Sequence, residues 1–289
     1  MKDVILTYDY ELFLGTRSGT IDNCLIRPVN EINKILQEHN ALCEYFIDST
    51  YLLFLKNNKP SDFEIISKHI IKIIQSGNRV QFHVHPHWLY GTKNSPSSSE
   101  WILDSTFFSL DDLPMSSAKK IWLDSYNLLS DIVLKSKVGS DFKINTYRAG
   151  GWRIPNATLM EQMFSQTEIS IDSSVCCEGS PSNIQTYWKF DNNPLIKHDQ
   201  GKFLEVPVTC FSNNIFNRVA NKVLINKEPI FGDGVGVKKH ANYNKMLNFI
   251  RTDTRYLSLD FSHPIFFQSA VRKIVDNMAN NDGPIVIAS

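Results

Sequence analysis

The sequence predicts an α/β fold, a distorted (β/α) barrel with about seven parallel strands, built as a single domain over residues 1–289. Three observations predict it. Short β-branched runs alternate with helix-period segments along nearly the whole chain, as successive βαβ units do. No shift in composition marks a linker between two units. Seven or eight strand-like runs suit an imperfect barrel better than a doubly wound sheet, and no glycine-rich dinucleotide or phosphate motif follows any of them. At 42% hydrophobic and 21% charged, the 289 residues supply ample apolar material for one core.

Residues 3–8 form an apolar, β-branched run that suits a buried strand. Pro28 fits the first turn of a helix to about residue 39, with Val29, Ile32, Ile35 and Leu36 on one face. Residues 43–47 read as the next strand. The following helix takes Ser61 as N-cap and Glu64 as capping-box partner, carries Ile65, Ile66, Ile70, Ile73 and Ile74, and stops before Gly77. Residues 79–84 are a third strand. The polar stretch 85–114 is long for a plain connection and reads as a functional lid or a disordered segment. An amphipathic helix over 116–137 leads to a strand at 142–147, a helix near 155–165 and strands at 168–171 and 203–208. A helix near 243–251, a strand at 256–261, a helix over 264–280 and a strand at 284–288 complete the chain. The run from Gly232 to Gly236 reads as a turn.

Thirty basic and thirty acidic residues give zero formal charge, and no basic stripe interrupts the sequence. That excludes a nonspecific nucleic-acid binder. The longest apolar run, residues 51–55, is far shorter than the ~18 residues that span a bilayer. The N-terminus has no signal-peptide layout, so a cytoplasmic protein is expected. Five cysteines (24, 43, 176, 177 and 210) without CxxC spacing suggest neither a zinc knuckle nor a disulfide framework.

Catalytic groups in such barrels sit at the C-terminal ends of strands. There the sequence places Asp9 and Glu11, then His83, His85 and His87, then Arg148, then Asp172, and late in the chain His263. On a continuing strand the three clustered histidines would share one face. Pro86 favours a turn instead, where i and i+4 imidazoles converge, so His83 and His87 are the preferred pair. His85 then stands behind them, or serves as a ligand in their place. Two imidazoles need an anionic partner to hold a divalent ion. Asp9 and Glu11 alternate in register, so one can hold metal while the other takes a proton. A His-His-carboxylate set suits zinc, and also cobalt, nickel or iron.

Taken in order, five segments resemble the motifs of the polysaccharide deacetylase family, the NodB-homology carbohydrate esterases, over nearly the whole chain. They are Thr7-Tyr8-Asp9-Tyr10-Glu11, His83 to His87, Tyr147-Arg148-Ala149-Gly150-Gly151-Trp152, Asp172-Ser173-Ser174 and Leu259-Asp260-Phe261-Ser262-His263-Pro264. The resemblance implies metal-dependent hydrolysis of an N- or O-acyl sugar, the acyl group being acetyl first. It implies Asp9 as the base that activates water, and Glu11, His83 and His87 as metal ligands. Arg148 would orient Asp9 and keep it ionised, Asp172 would brace Arg148, and His263 would protonate the leaving amine or alkoxide. Trp88, Trp101 and Trp152 would offer flat rings for stacking on sugar faces.

Two departures stand out. Tyr10 occupies the position of the family's usual second Asp, which moves the third ligand to Glu11. Gly150-Gly151-Trp152 follows the arginine where a proline is often found. The expected partner is an acylated sugar or glycan precursor made inside the cell for a capsule or O-antigen. The alternative is a catalytically degenerate sugar-binding or scaffold protein of the same fold, with Tyr10 in its favour.

Overall fold

The computed structural model describes residues 4–14, 18–92, 101–139, 142–175, 178–179, 188–189, 196–198, 203–212, 232–234, 254–256, 268, 271–272, 274–275 and 284–288. Strand β1 (Val4–Tyr10) leads through a π-helical turn (Asp22–Ile26) into helix α1 (Arg27–Glu38). Then follow β2 (Cys43–Asp48), α2 (Ser49–Asn58), α3 (Pro60–Gln75), β3 (Arg79–Val84), α4 (Met115–Lys135), β4 (Thr146–Ala149), α5 (Ala157–Phe164) and β5 (Ile171–Asp172). The later strands are β6 (Glu178–Gly179), β7 (Trp188–Lys189), β8 (Ile196–His198), β9 (Phe203–Glu205), β10 (Cys210–Ser212), β11 (Thr254–Tyr256) and β12 (Ile285–Ala288).

The main sheet has the order β12-β1-β2-β3-β4-β5-β9-β8. Its first seven strands are parallel, and β8 runs antiparallel on the edge. Just after β9, the Thr209 N–H donates to the Val286 carbonyl, and the Val286 N–H donates to the Thr209 hydroxyl. The chain beyond β9 thereby meets β12 at the opposite edge and curls the sheet toward closure. The fold is a distorted (β/α) barrel.

Parallel strands put neighbours in register on one face. Leu6, Tyr8 and Tyr10 of β1 share the outer face with Tyr45, Ile47, Val80, Phe82 and Tyr147. Helices cover it: Trp122 of α4 packs edge-on to Phe82 and Tyr147, and Phe164 of α5 stacks against Trp122. Each such side chain contributes ~1.5–3 kcal/mol through burial. The inner face is polar. Thr7, Asp9, Phe46, Asp48, Gln81, His83 and Arg148 point into the barrel.

Several elements differ from expectation. Residues 51–55 lie in α2, which contacts both α3 and α4. Its apolar residues surround the helix rather than forming a stripe, so periodicity gives no signal. Helix α3 begins at Pro60 with Lys59 as N-cap, placing Ser61 inside the first turn. The fourth strand starts at Thr146 rather than 142. The Gln81 side-chain oxygen accepts the N–H groups of Asn145 and Thr146, and the Phe142 N–H donates to the Gly139 carbonyl rather than to a neighbouring strand. Thr254–Tyr256 pairs with β10 in a separate antiparallel sheet. Residues 243–251, 257–261 and most of 264–280 lie outside the described residues. Among the described residues no helix is long and apolar enough to cross a membrane.

Candidate metal centre

Strand β1 delivers Glu11 just past its last residue, and β3 delivers His83 on the inner face. His85 stays extended (φ −124°, ψ 89°) before Pro86 opens a 3-10 turn (Pro86–Tyr90). Two residues apart on extended backbone, His83 and His85 point the same way. Glu11 Oε2 lies 3.0 Å from His83 Nε2 and 2.5 Å from His85 Nε2, and the two nitrogens are 3.0 Å apart.

His83 Nδ1 lies 2.7 Å from the Arg148 carbonyl. A carbonyl only accepts, so Nδ1 carries the hydrogen and the neutral ring turns a bare Nε2 toward the cluster. Three electron-rich atoms at such separations require positive charge among them. Without metal, protons supply it. Burial opposes a charge on His83, but the hydrogen bond it donates to Glu11 and the nearby Asp9, Glu11 and Asp48 push its pKa up to about 9. Burial also opposes a charge on Glu11, yet His85 and His83 hold its carboxyl well below the usual range.

A divalent ion would answer the same need. First-row ions hold nitrogen and oxygen at about 2.0–2.2 Å, which puts neighbouring ligand atoms roughly 3 Å apart; His83 Nε2 stands at 3.0 Å from both partners, and Glu11 and His85 are closer, at 2.5 Å. Glu11, His83 and His85 form the group of potential ligands that converge among the described residues.

His87 is placed elsewhere. The 3-10 turn carries it away, and its ring stacks on Phe108 at 5.4 Å and 3°. Burial and neighbouring His85 push it down to about 3, so it is neutral. The structure therefore brings His85, not His87, to Glu11 and His83, because the backbone stays extended through His85, whereas an i, i+4 pair needs a helical turn from His83 onward. Tyr10 points to the outer face and hydrogen-bonds His69 Nδ1 at 2.8 Å, so it does not occupy the ligand position.

Arg148 is fully buried and donates to Asp9 Oδ1 (2.7 Å), the Thr7 hydroxyl (2.9 Å) and the Ser173 carbonyl (3.1 Å). Its guanidinium lies 4.0 Å over the Phe46 ring and 5.5 Å from Trp152. Asp172 is not its brace. Register sets Asp172 beside Tyr147 and Glu205 on the outer face, while the next residue, Ser173, faces Arg148. Asp172 instead accepts from the Ser174 hydroxyl. His263 lies outside the described residues. Trp88 is buried and donates its indole N–H to Asp48 Oδ2, and Trp101 meets Phe54 edge-on. Of the three tryptophans, Trp152 stands beside the Asp9–Arg148 pair, at a positive φ of 60°.

No family model and no curated protein matches the chain. Among solved structures it is similar to the peptidoglycan deacetylase PdaC from Bacillus subtilis, at 18% identity and TM-score 0.33 over 58% of this chain and 57% of that one. It is also similar to a mutant of BA3943, titled a CE4 family pseudoenzyme with restored enzymatic activity, at 12% identity and TM-score 0.33. That match covers 60% of this chain and 44% of the other. The chain thus spans little more than half the length of PdaC. At such identity function does not transfer, and the chemistry has to come from these side chains.

Asp48 and Thr50 belong to the site but carried no signal in the sequence. Asp48 caps α2, which was not legible, and its nearness to His83 follows only from strand register.

Proposed function

We propose that this chain is a metal-dependent hydrolase that removes an N- or O-acyl group, acetyl first, from a sugar or glycan precursor of a surface polysaccharide. The observation that supports it best is the convergence of Glu11, His83 and His85 beside an arginine-held carboxylate. Glu11, His83 and His85 would hold the ion, zinc first, with cobalt, nickel or iron suiting the same donors. A divalent ion there supplies Lewis acidity toward an acyl carbonyl and acidifies water.

Arg148 takes Asp9 Oδ1, which fixes the carboxylate plane and leaves Oδ2 to receive a proton from attacking water. A second group must then protonate the leaving amine or alkoxide. Motif order assigns that to His263. Trp152, next to the ion pair, is the ring we assign to stacking on a sugar face. The alternative of a degenerate sugar-binding protein drew on Tyr10, and with Tyr10 facing the helices that feature no longer favours it.

The test is metal content by mass spectrometry, on protein purified without tag or chelator, followed by acyl release from N- and O-acetylated sugars. About one ion per chain is expected, with acetate released. Protein that takes up neither zinc nor cobalt overturns the reading. Metal uptake without release from any acetylated sugar leaves the binding protein in its place.

A further inference from the structure

The last registered pair between β2 and β3 is Asp48 with His83. Beyond it, at His85, a side chain takes over the role of the neighbouring strand. The His85 N–H donates to Thr50 Oγ1 at 2.8 Å. The Thr50 hydroxyl lies 2.7 Å from Asp48 Oδ1 and 2.9 Å from the His85 carbonyl. It has one proton to give. The His85 carbonyl accepts the Trp88 N–H at 3.2 Å, and the hydroxyl proton goes to the carboxylate oxygen because it is the nearer acceptor. Asp48 Oδ2 accepts the Trp88 indole N–H at 2.8 Å, and Oδ1 also accepts the Tyr51 N–H. Asp48, Thr50, His85 and Trp88 are all buried.

A closed ring of hydrogen bonds thus grips the turn at both ends, by the His85 backbone and by the Trp88 side chain. This grip holds His85 extended, and extended backbone is what keeps its ring on the face of His83. Loss of the grip would let the turn start earlier and swing His85 off Glu11. We propose that Asp48 and Thr50 are positioning residues that select His85, rather than His87, as the imidazole completing the set with Glu11 and His83. The proposal rests on the metal-holding reading above.

The direct test is zinc affinity and the visible spectrum of the cobalt-loaded protein for Thr50→Val, which keeps shape and removes the hydroxyl. Outer-shell partners of metal ligands usually alter affinity by 10–100-fold. We expect Thr50→Val to lose about tenfold or more and to change the cobalt bands, and Thr50→Ser to restore both. In a His85→Ala background, Thr50→Val should cost no further affinity, because its effect passes through His85. Circular dichroism checks that the variants fold. Should Thr50→Val not fold, Asp48→Asn serves: its amide keeps an acceptor for Thr50 but sets a donor against the Trp88 indole, so affinity should again fall.

A folded Thr50→Val with wild-type affinity and spectrum overturns the proposal and leaves the metal reading standing. So does a loss that simply adds to that of His85→Ala. A wild-type protein that binds neither zinc nor cobalt overturns the metal reading and the proposal together.

Discussion

Arg148 shows how much one side chain can organise. It sits fully buried, bonded to Asp9, Thr7 and Ser173, with Phe46 beneath it. Removing one partner of a buried pair leaves the other uncompensated, so Arg148→Ala should cost about 3–5 kcal/mol in denaturant unfolding. Arg148→Lys should recover only part, since an ammonium lacks the planar fork that reaches three acceptors. The ligand residues separate by a different measurement. Metal content should vanish in His83→Ala, fall in His85→Ala to a weaker affinity still measurable by titration, persist in His87→Ala, and persist in Asp9→Asn while acyl release is lost. If His87→Ala loses the ion and His85→Ala keeps it undiminished, the extended geometry at His85 is not the one that operates. The cluster of three histidines was legible in the sequence. Which two converge was not, because that depends on where β3 gives way to the turn.

At the scale of elements, strand alternation decides what each motif residue can reach. Thr7 and Asp9 fall on one side of β1, with Glu11 just past its end, and Tyr10 falls on the other; the spacing foretold that Asp9 and Glu11 alternate. The same rule across β4 and β5 turns Asp172 away from Arg148, which spacing alone could not show, since it needs the register Tyr147↔Asp172. Asp172 is instead buried among Tyr147 of β4, Glu205 of β9 and Ser174, with Arg148 on the far side of the sheet. Burial and then Glu205 push its pKa up from 3.8 to about 8, against smaller opposing effects of Ser174 and Arg148. The native state therefore keeps a proton that the unfolded chain gives up near pH 4. Stability from this group is whole below about pH 4 and declines as pH rises toward about 8, where the native carboxyl ionises. Asp172→Asn should remove that decline, and urea midpoints between pH 5 and 9 would reveal it. A wild-type midpoint that rises across this range through the same residue would contradict the assignment.

For the whole molecule, the site lies where the ends of β1, β2, β3 and β4 meet, so metal binding and folding are linked. An ion that binds only the native chain raises stability by RT ln(1 + [L]/Kd), about 2.7 kcal/mol at a hundredfold excess over Kd. Thermal unfolding with zinc should occur at a higher Tm than with chelator, and His83→Ala should abolish the difference. An equal Tm in both would mean that the ion is not held by these strands. The alternation of strand and helix determined the barrel, and the polar residues at strand ends determined which ones could meet, because both follow from local periodicity and chain order. Only the tertiary structure decided that His85 joins Glu11 and His83, that Ser173 rather than Asp172 supports Arg148, and that Asp48 and Thr50 grip the turn. Each of these depends on the register of neighbouring strands and on the exact residue at which a strand ends. Those are set by packing between segments tens of residues apart, which no local pattern encodes.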